Sequence, residues 1–355
     1  MKEPVTNWKH SIVHDHILYY TMNAPKKKAL FLIFFAGCSF FVSGCQSKDA
    51  VVAADYFAMD TCFSVRLHGT DTALADCKTE IQNILNDLNV LLDCHAESST
   101  VSMLSHMGNC QNHTLAEIIT ETQTLEQRFG NAVQVSCRPL TSLWNIGGKN
   151  VTVPSQSRIA DALERIDDTK IAVDADNVAL PIGMALDFGA VAKGYALDQI
   201  AMNLSESPSL SYGVVSASSA VLLYGAKPEN QPFSVEITNP NAERMLGTLT
   251  IPSDSSDFQA YVATSGNAER FSEINGETYG HIFDLSTGCP AESDFASVTV
   301  VTDSGLKADF LSTLIFIEGK EHIDTHCAAE DYLVLAVDKN GQIYQSDTLE
   351  FEVKP

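Results

Sequence analysis

The sequence predicts an α+β fold. Helical periodicities fall almost wholly in the first half of the chain, alternating strand patterns dominate the second half, and no internal repeat is visible. Helices followed by strands argue against a doubly wound sheet, in which the two would alternate. With 355 residues, 45% of them hydrophobic, the chain has apolar material for one large domain or two modest ones. A formal net charge of −23 excludes a nucleic-acid partner, which needs a basic face to neutralise phosphates. A phosphate-bearing ligand would need local help from a helix end, a lysine or a metal ion.

The N-terminus reads as a targeting segment outside the fold, residues 1–44. Lys26-Lys27-Lys28 is a basic region, Ala29 to Val42 is apolar, and Val42-Ser43-Gly44-Cys45 resembles a bacterial lipobox with Cys45 as the lipidated residue. The stretch before Lys26 is polar and unlike a leader, so Met22 is a candidate start. The alternative, an uncleaved anchor helix, needs a longer apolar run of ~20 residues. This places the protein in a bacterial cell envelope, lipid-anchored and facing the periplasm or exterior. Residues 45–54 then form a lipidated tether and 55–355 the working domain. Without Cys38 and Cys45, the cysteines are Cys62, Cys77, Cys94, Cys110, Cys137, Cys289 and Cys327, an odd set that cannot all pair internally. Cys94 with Cys110 is one candidate disulfide. No CxxC occurs to support zinc or thioredoxin-type chemistry.

Tyr56 to Leu67 reads as an opening strand. Asp71 to Asp93 carries Leu74, Cys77, Ile81, Leu85, Leu88 and Leu92 at helical spacing, and Thr114 to Phe129 is a second amphipathic helix stopped by Gly130. A polar loop with His95, Ser98 and Ser99 lies between them. Ser157 to Ile166 is a short helix and Lys170 to Leu180 a hairpin. Leu186-Asp187-Phe188-Gly189 reads as a strand end and a sharp glycine turn, followed by a helix from Ala190 with Lys193 in its first turn. Such a junction offers free backbone N–H groups to phosphate, although an ordinary strand–helix junction has the same look. Strands follow over Tyr212–Tyr224, Phe233–Thr238, Ser297–Val301, Tyr332–Val337 and Ile343–Val353.

Asp309 and Thr313 are four apart, so on a helix they share a face and offer one ion a carboxylate and a hydroxyl. Oxygen ligands of that kind suit Mg²⁺. The plainer alternative makes Asp309 a helix cap and Thr313 a half-buried helix residue.

Together these stretches resemble the FAD:protein FMN transferases, the ApbE family of flavin-handling lipoproteins, over most of the chain after Cys45. The marks are Met59-Asp60-Thr61, Pro139-Leu140 with Leu143-Trp144, and Asp187 through Tyr195. Further marks are Thr264-Ser265-Gly266 with Glu269-Arg270, His281-Ile282-Phe283-Asp284 with Thr287-Gly288, and Ala308-Asp309 with Ser312-Thr313. The resemblance implies a T-fold-like α+β architecture that binds FAD as substrate across a cleft beside Mg²⁺. The implied metal ligands are Asp309, Thr313 and the Ala190 carbonyl, with Ser312 close by. The implied flavin positions are Met59, His95, Ala132, Val133, Gln134, Asp187, Lys193 and Phe283. This chain departs from the family pattern at Asp60, His95, Gln134 and Ser218-Ser219. A glycine is usual at the Asp60 position, an aromatic at that of His95, Asp at that of Gln134 and a Gly-Gly pair at Ser218-Ser219.

The family's reaction moves FMN from FAD onto a threonine hydroxyl of an acceptor redox protein and leaves AMP. Attack on a pyrophosphate needs charge neutralisation and a base near the incoming hydroxyl, for which His281 and Asp284 are the candidates. Two other activities fit the same residues: an FAD pyrophosphatase giving FMN and AMP, and a flavin-binding lipoprotein without catalysis.

Overall fold

The computed structural model describes residues 50–207, 209–268, 270–320, 322–323 and 331–354. The targeting segment with Met22 and Cys45, together with Glu269 and Cys327, lies outside the described residues.

Residues expected to form a tether and then one opening strand fold instead as a hairpin of β1 (Ala50–Ala58) and β2 (Thr61–Gly69). Met59 and Asp60 turn the chain with φ of 50° and 56°, the positive values a two-residue hairpin turn demands. No glycine announces this turn in the sequence. α1 (Asp71–Leu92) buries the apolar stripe read from its spacing. The expected polar loop contains a further helix, α2 (Thr100–Met107), whose first turn is capped by Ser99 Oγ accepting the Ser102 N–H at 3.2 Å. β3 (Asn109–Gln111) leads to α3 (His113–Phe129), where the Asn112 side chain accepts from Leu115 N–H at 2.8 Å. α4 (Arg138–Trp144) begins with Pro139 in its first turn, and α5 (Gln156–Leu163) follows. The expected hairpin is β4 (Ala172–Asp174) with β5 (Asn177–Ala179), and α6 (Ala192–Ser205) closes the first half.

The second half supplies mainly strands. β6 (Leu210–Ala217) and β7 (Ala220–Gly225) form a hairpin, as do β8 (Phe233–Thr238) and β9 (Met245–Ile251). β10 (Gln259–Gly266) precedes two small hairpins, β11 (Phe271–Ile274) with β12 (Glu277–Gly280) and β13 (Phe283–Asp284) with β14 (Cys289–Pro290). β15 (Phe295–Thr302), α7 (Gly305–Glu318), β16 (Leu333–Asp338), β17 (Ile343–Gln345) and β18 (Phe351–Val353) complete the chain.

Eight strands form one antiparallel sheet in the order β1-β2-β6-β7-β10-β15-β16-β17. α1, α3, α6 and α7 pack with one face of it in the main core, and the three-stranded sheet β18-β9-β8 covers the other through Val221, Val235, Val262 and Leu335. Being covered on both faces, β7 is buried at every residue, which explains its unbroken apolar run. A third cluster joins Leu140, Trp144, Ile159 and Phe283. Cys62, Cys77, Cys94, Cys110, Cys137 and Cys289 are free, so the Cys94–Cys110 disulfide does not form. Among the described residues no helix is long and apolar enough to cross a membrane.

α6 and α7 meet at glycines. A Cβ on Gly194 would lie 2.0 Å from the Gly305 carbonyl oxygen, and one on Gly305 would lie 2.2 Å from that of Gly194. Each helix also carries an aspartate four residues beyond its glycine that caps the other helix. Asp198 accepts the N–H groups of Gly305 (2.7 Å) and Leu306 (2.8 Å), while Asp309 accepts that of Gly194 (3.1 Å). Two helix N-termini are satisfied by one reciprocal contact.

Candidate active site

The site grows from this crossing. Asp309 sits within α7 and is 2% exposed. Burial pushes its carboxyl above the ordinary value, against the opposing pull of Lys193 and the Gly194 N–H. Oδ1 faces Lys193 Nζ at 3.4 Å, and the ammonium also donates to the Gly189 carbonyl at 3.4 Å. Asp309 does cap a helix, as the plainer alternative holds, but the helix is α6 and not its own. Because the Gly194 N–H points to Asp309, the Ala190 carbonyl four residues earlier receives no backbone N–H among the described residues. One turn beyond Asp309, Ser312 and Thr313 hydroxyls lie 2.9 and 3.0 Å from Ser265 Oγ on β10.

The donors at this corner are all oxygens: one buried carboxylate, an unclaimed carbonyl and hydroxyls. That set fits Mg²⁺, and among the described residues no group of three or more His, Cys, Asp or Glu offers an alternative metal site.

Asp187 anchors the neighbouring wall. It is held by Gly189 N–H to Oδ1 (3.0 Å) and by Thr141 Oγ1 to Oδ2 (2.7 Å), with Arg138 Nη1 3.8 Å away. Gly189 lies close to Asp187, a Cβ there meeting Oδ1 at 3.2 Å, and its φ is outside the left-handed region. The expected strand end before it reduces to a single parallel bridge, Cys137 with Ala185. Arg138 also reaches His95 Nδ1 at 3.3 Å, which draws the exposed His95 loop toward the same wall. Ala132 and Val133 pack into the main core beside it. Gln134 Oε1 accepts the Asp168 N–H at 2.9 Å, and buried Asp168 holds the N–H groups of Val135 (2.7 Å) and Ser136 (2.8 Å). Gln134 thus holds its own loop, its Nε2 also donating to the Asn131 carbonyl at 3.1 Å.

His281 is half-buried, with Nδ1 3.0 Å from the Arg270 carbonyl. A carbonyl only accepts, so Nδ1 carries the proton and Nε2 keeps its lone pair. Desolvation, joined by the charges of Arg270 and Lys193, pulls its pKa down to about 4. Asp284 is a poorer base. Its oxygens accept Ser286 N (2.8 Å), Ser286 Oγ (2.7 Å) and Thr287 Oγ1 (3.1 Å). Partial burial raises its pKa, but these bonds prevail and the net direction is down. The carboxylate is occupied in fixing a turn. Phe283 is 8% exposed and packs 6.2 Å from the Trp144 ring in the third core. Met59 is held at its turn by its N–H donating to Asn89 Oδ1 at 2.8 Å, and the adjacent Asp60 faces Arg270 at 3.5 Å.

Lys193 thus faces Asp309, the Ser312 and Thr313 hydroxyls meet at Ser265, and Asp187 and His95 are joined along one wall through Arg138. Arg138, Thr141, Ser265, Arg270 and Asp198 were not singled out from sequence as site residues. Arg138 immediately precedes Pro139-Leu140, and Asp198 lies five residues beyond Lys193, so both stand beside recognisable stretches.

A buried oxygen-donor corner, a lysine on its carboxylate and a neutral imidazole nearby define an enzyme of the α+β class. The chain belongs to the ApbE family, whose model matches residues 59–335. It is 26% identical over 298 residues to a Haemophilus influenzae protein named FAD:protein FMN transferase, covering 79% of this chain and 84% of that one. A Salmonella typhimurium protein of the same name is 24% identical over 328 residues, covering 87% and 92%. Among solved structures, the ApbE protein of Thermotoga maritima superimposes with a TM-score of 0.74 at 25% identity, over 84% of this chain and 98% of that one. The apo flavinyl transferase ApbE of Pseudomonas stutzeri gives 0.72 at 23% identity, over 86% and 95%, and shares the fold.

Proposed function

We propose that this enzyme transfers FMN from FAD to a threonine hydroxyl of an acceptor protein, releases AMP and uses Mg²⁺. The names of its relatives support the transferase class. The observation that carries the finer reading is the buried Asp309 carboxylate facing Lys193, with Thr313 one helical turn further along α7 and the unclaimed Ala190 carbonyl one turn before the Gly194 that Asp309 caps. The metal, held by those oxygens, would supply charge neutralisation at the diphosphate. Lys193 would bind a phosphate oxygen in a chain otherwise rich in negative charge. His281 Nε2 would take the proton of the acceptor hydroxyl as its oxygen attacks the FMN phosphorus and the bond to AMP breaks. The acceptor is a redox protein carrying the target threonine, and lipidation at Cys45 would hold the enzyme at the bacterial envelope surface.

The test incubates the full-length protein with FAD, Mg²⁺ and a candidate acceptor, following acceptor mass and AMP together. An FMN-sized mass gain with AMP release is expected. AMP release without mass gain, across acceptors, would replace the transferase by a pyrophosphatase. Asp309→Ala is expected to lower turnover at least about 100-fold while the fold persists by circular dichroism. Full activity in that variant would remove the metal assignment.

A further inference from the structure

Lys193 holds the position that a metal on Asp309 would claim. Its ammonium lies 3.4 Å from Oδ1, while the other carboxylate oxygen is already fixed by the Gly194 N–H. The lysine side chain is 20% exposed and the aspartate side chain 3%, so the pair is largely shielded from water. A buried carboxylate needs a counter-charge, and here the protein supplies one from its own chain.

We propose that Lys193 is an exchangeable counter-ion: it neutralises Asp309 while the site is empty and gives up the carboxylate when metal and diphosphate arrive together. The proposal rests on the Mg²⁺ reading given above. Metal alone would bring two positive charges against a pair that is already neutral, beside an ammonium that repels it. Diphosphate alone would bring two negative charges beside Asp309. Only when both enter does the local charge return to zero, with the lysine turned from Oδ1 toward phosphate. Lys193 can make this move because its other contact, the Gly189 carbonyl at 3.4 Å, is long and uncharged. Metal and FAD therefore bind cooperatively, and each strengthens the other by the same factor. The arrangement keeps the carboxylate from holding a divalent cation when no flavin nucleotide is present.

Direct bonding between metal and phosphate also makes FAD tighten metal binding. The distinguishing quantity is therefore metal affinity without FAD. Mn²⁺ serves as the probe, titrated into the full-length protein and followed by its free electron paramagnetic resonance signal, alone, with FAD and with riboflavin. In the native protein FAD is expected to tighten Mn²⁺ about tenfold or more, and riboflavin, which lacks phosphate, to leave it unchanged. Lys193→Met is expected to tighten FAD-free Mn²⁺ binding by about tenfold and to shrink the effect of FAD. A lysine that only binds phosphate would leave the FAD-free affinity of this variant unchanged, and that result overturns the proposal. Lys193→Gln, which retains a donor for Asp309, repeats the test if the Met variant does not fold. If the native protein binds no Mn²⁺ even with FAD, the metal reading itself is overturned. If it binds Mn²⁺ equally with and without FAD, the exchange fails and the metal reading stands.

Discussion

His281 shows how one residue's surroundings fix its chemistry. Its pairing with a carbonyl sets the tautomer, and desolvation keeps the ring neutral down to about pH 4. His281→Asn is expected to lower turnover about 100-fold or more while FAD binding, followed by flavin fluorescence, persists. The same shift has a stability consequence. The unfolded ring takes up a proton near 6.5 and the folded one only near 4, so the unfolded state binds more protons in between. Stability therefore rises with pH across that window and is lost as pH falls through it. The Asn variant is expected to show a shallower loss of urea midpoint between pH 6.5 and pH 4.5. Sequence alone named His281 and Asp284 as equals, because nothing in residue type reveals that Ser286 and Thr287 occupy the aspartate. Asp60 and Ser218 are similar cases. They stand at φ of 56° and 55°, in the left-handed region that favours glycine, so they mark strained turns that only backbone angles disclose.

At the scale of elements, long amphipathic stripes were legible and short capped pieces were not. α1 and α3 follow their apolar spacing, since burial of that stripe is what holds each helix. α2 and α4 have 8 and 7 residues, too few for periodicity to stand out from a polar loop or a proline-containing segment. α3 also carries a polar connection that no pattern announces. Burial foremost, then a hydrogen bond with Asp168, raises the Glu126 pKa to about 10. Asp168 in turn holds the backbone of Val135 and Ser136, so this pair ties the helix to the wall beside Asp187. With the folded pKa raised above the unfolded 4.5, the folded state binds more protons in between, and stability falls as pH rises from 4.5 toward 10. Glu126→Gln keeps a donor for Asp168 without the proton. Its melting temperature is expected to exceed that of the native protein at pH 9, with the gap narrowing toward pH 5.

For the molecule as a whole, α+β class was readable because helices and strands segregate along the chain, while the position of the site depended on which distant pieces touch. The reciprocal caps make that dependence concrete. Asp198 satisfies N–H groups 107 and 108 residues away in sequence, and Asp309 one that is 115 residues away. Neither helix end is complete until the two halves of the chain have met, so the contact carries a large loop-closure cost at the moment it forms. Site assembly is therefore an event in folding kinetics, placed at the docking of the halves. Asp198→Ala is expected to slow refolding more than it speeds unfolding, as read from the two arms of a denaturant chevron. A chain interrupted before α7 would carry Lys193 with no aspartate to face, and the oxygen corner would not yet exist.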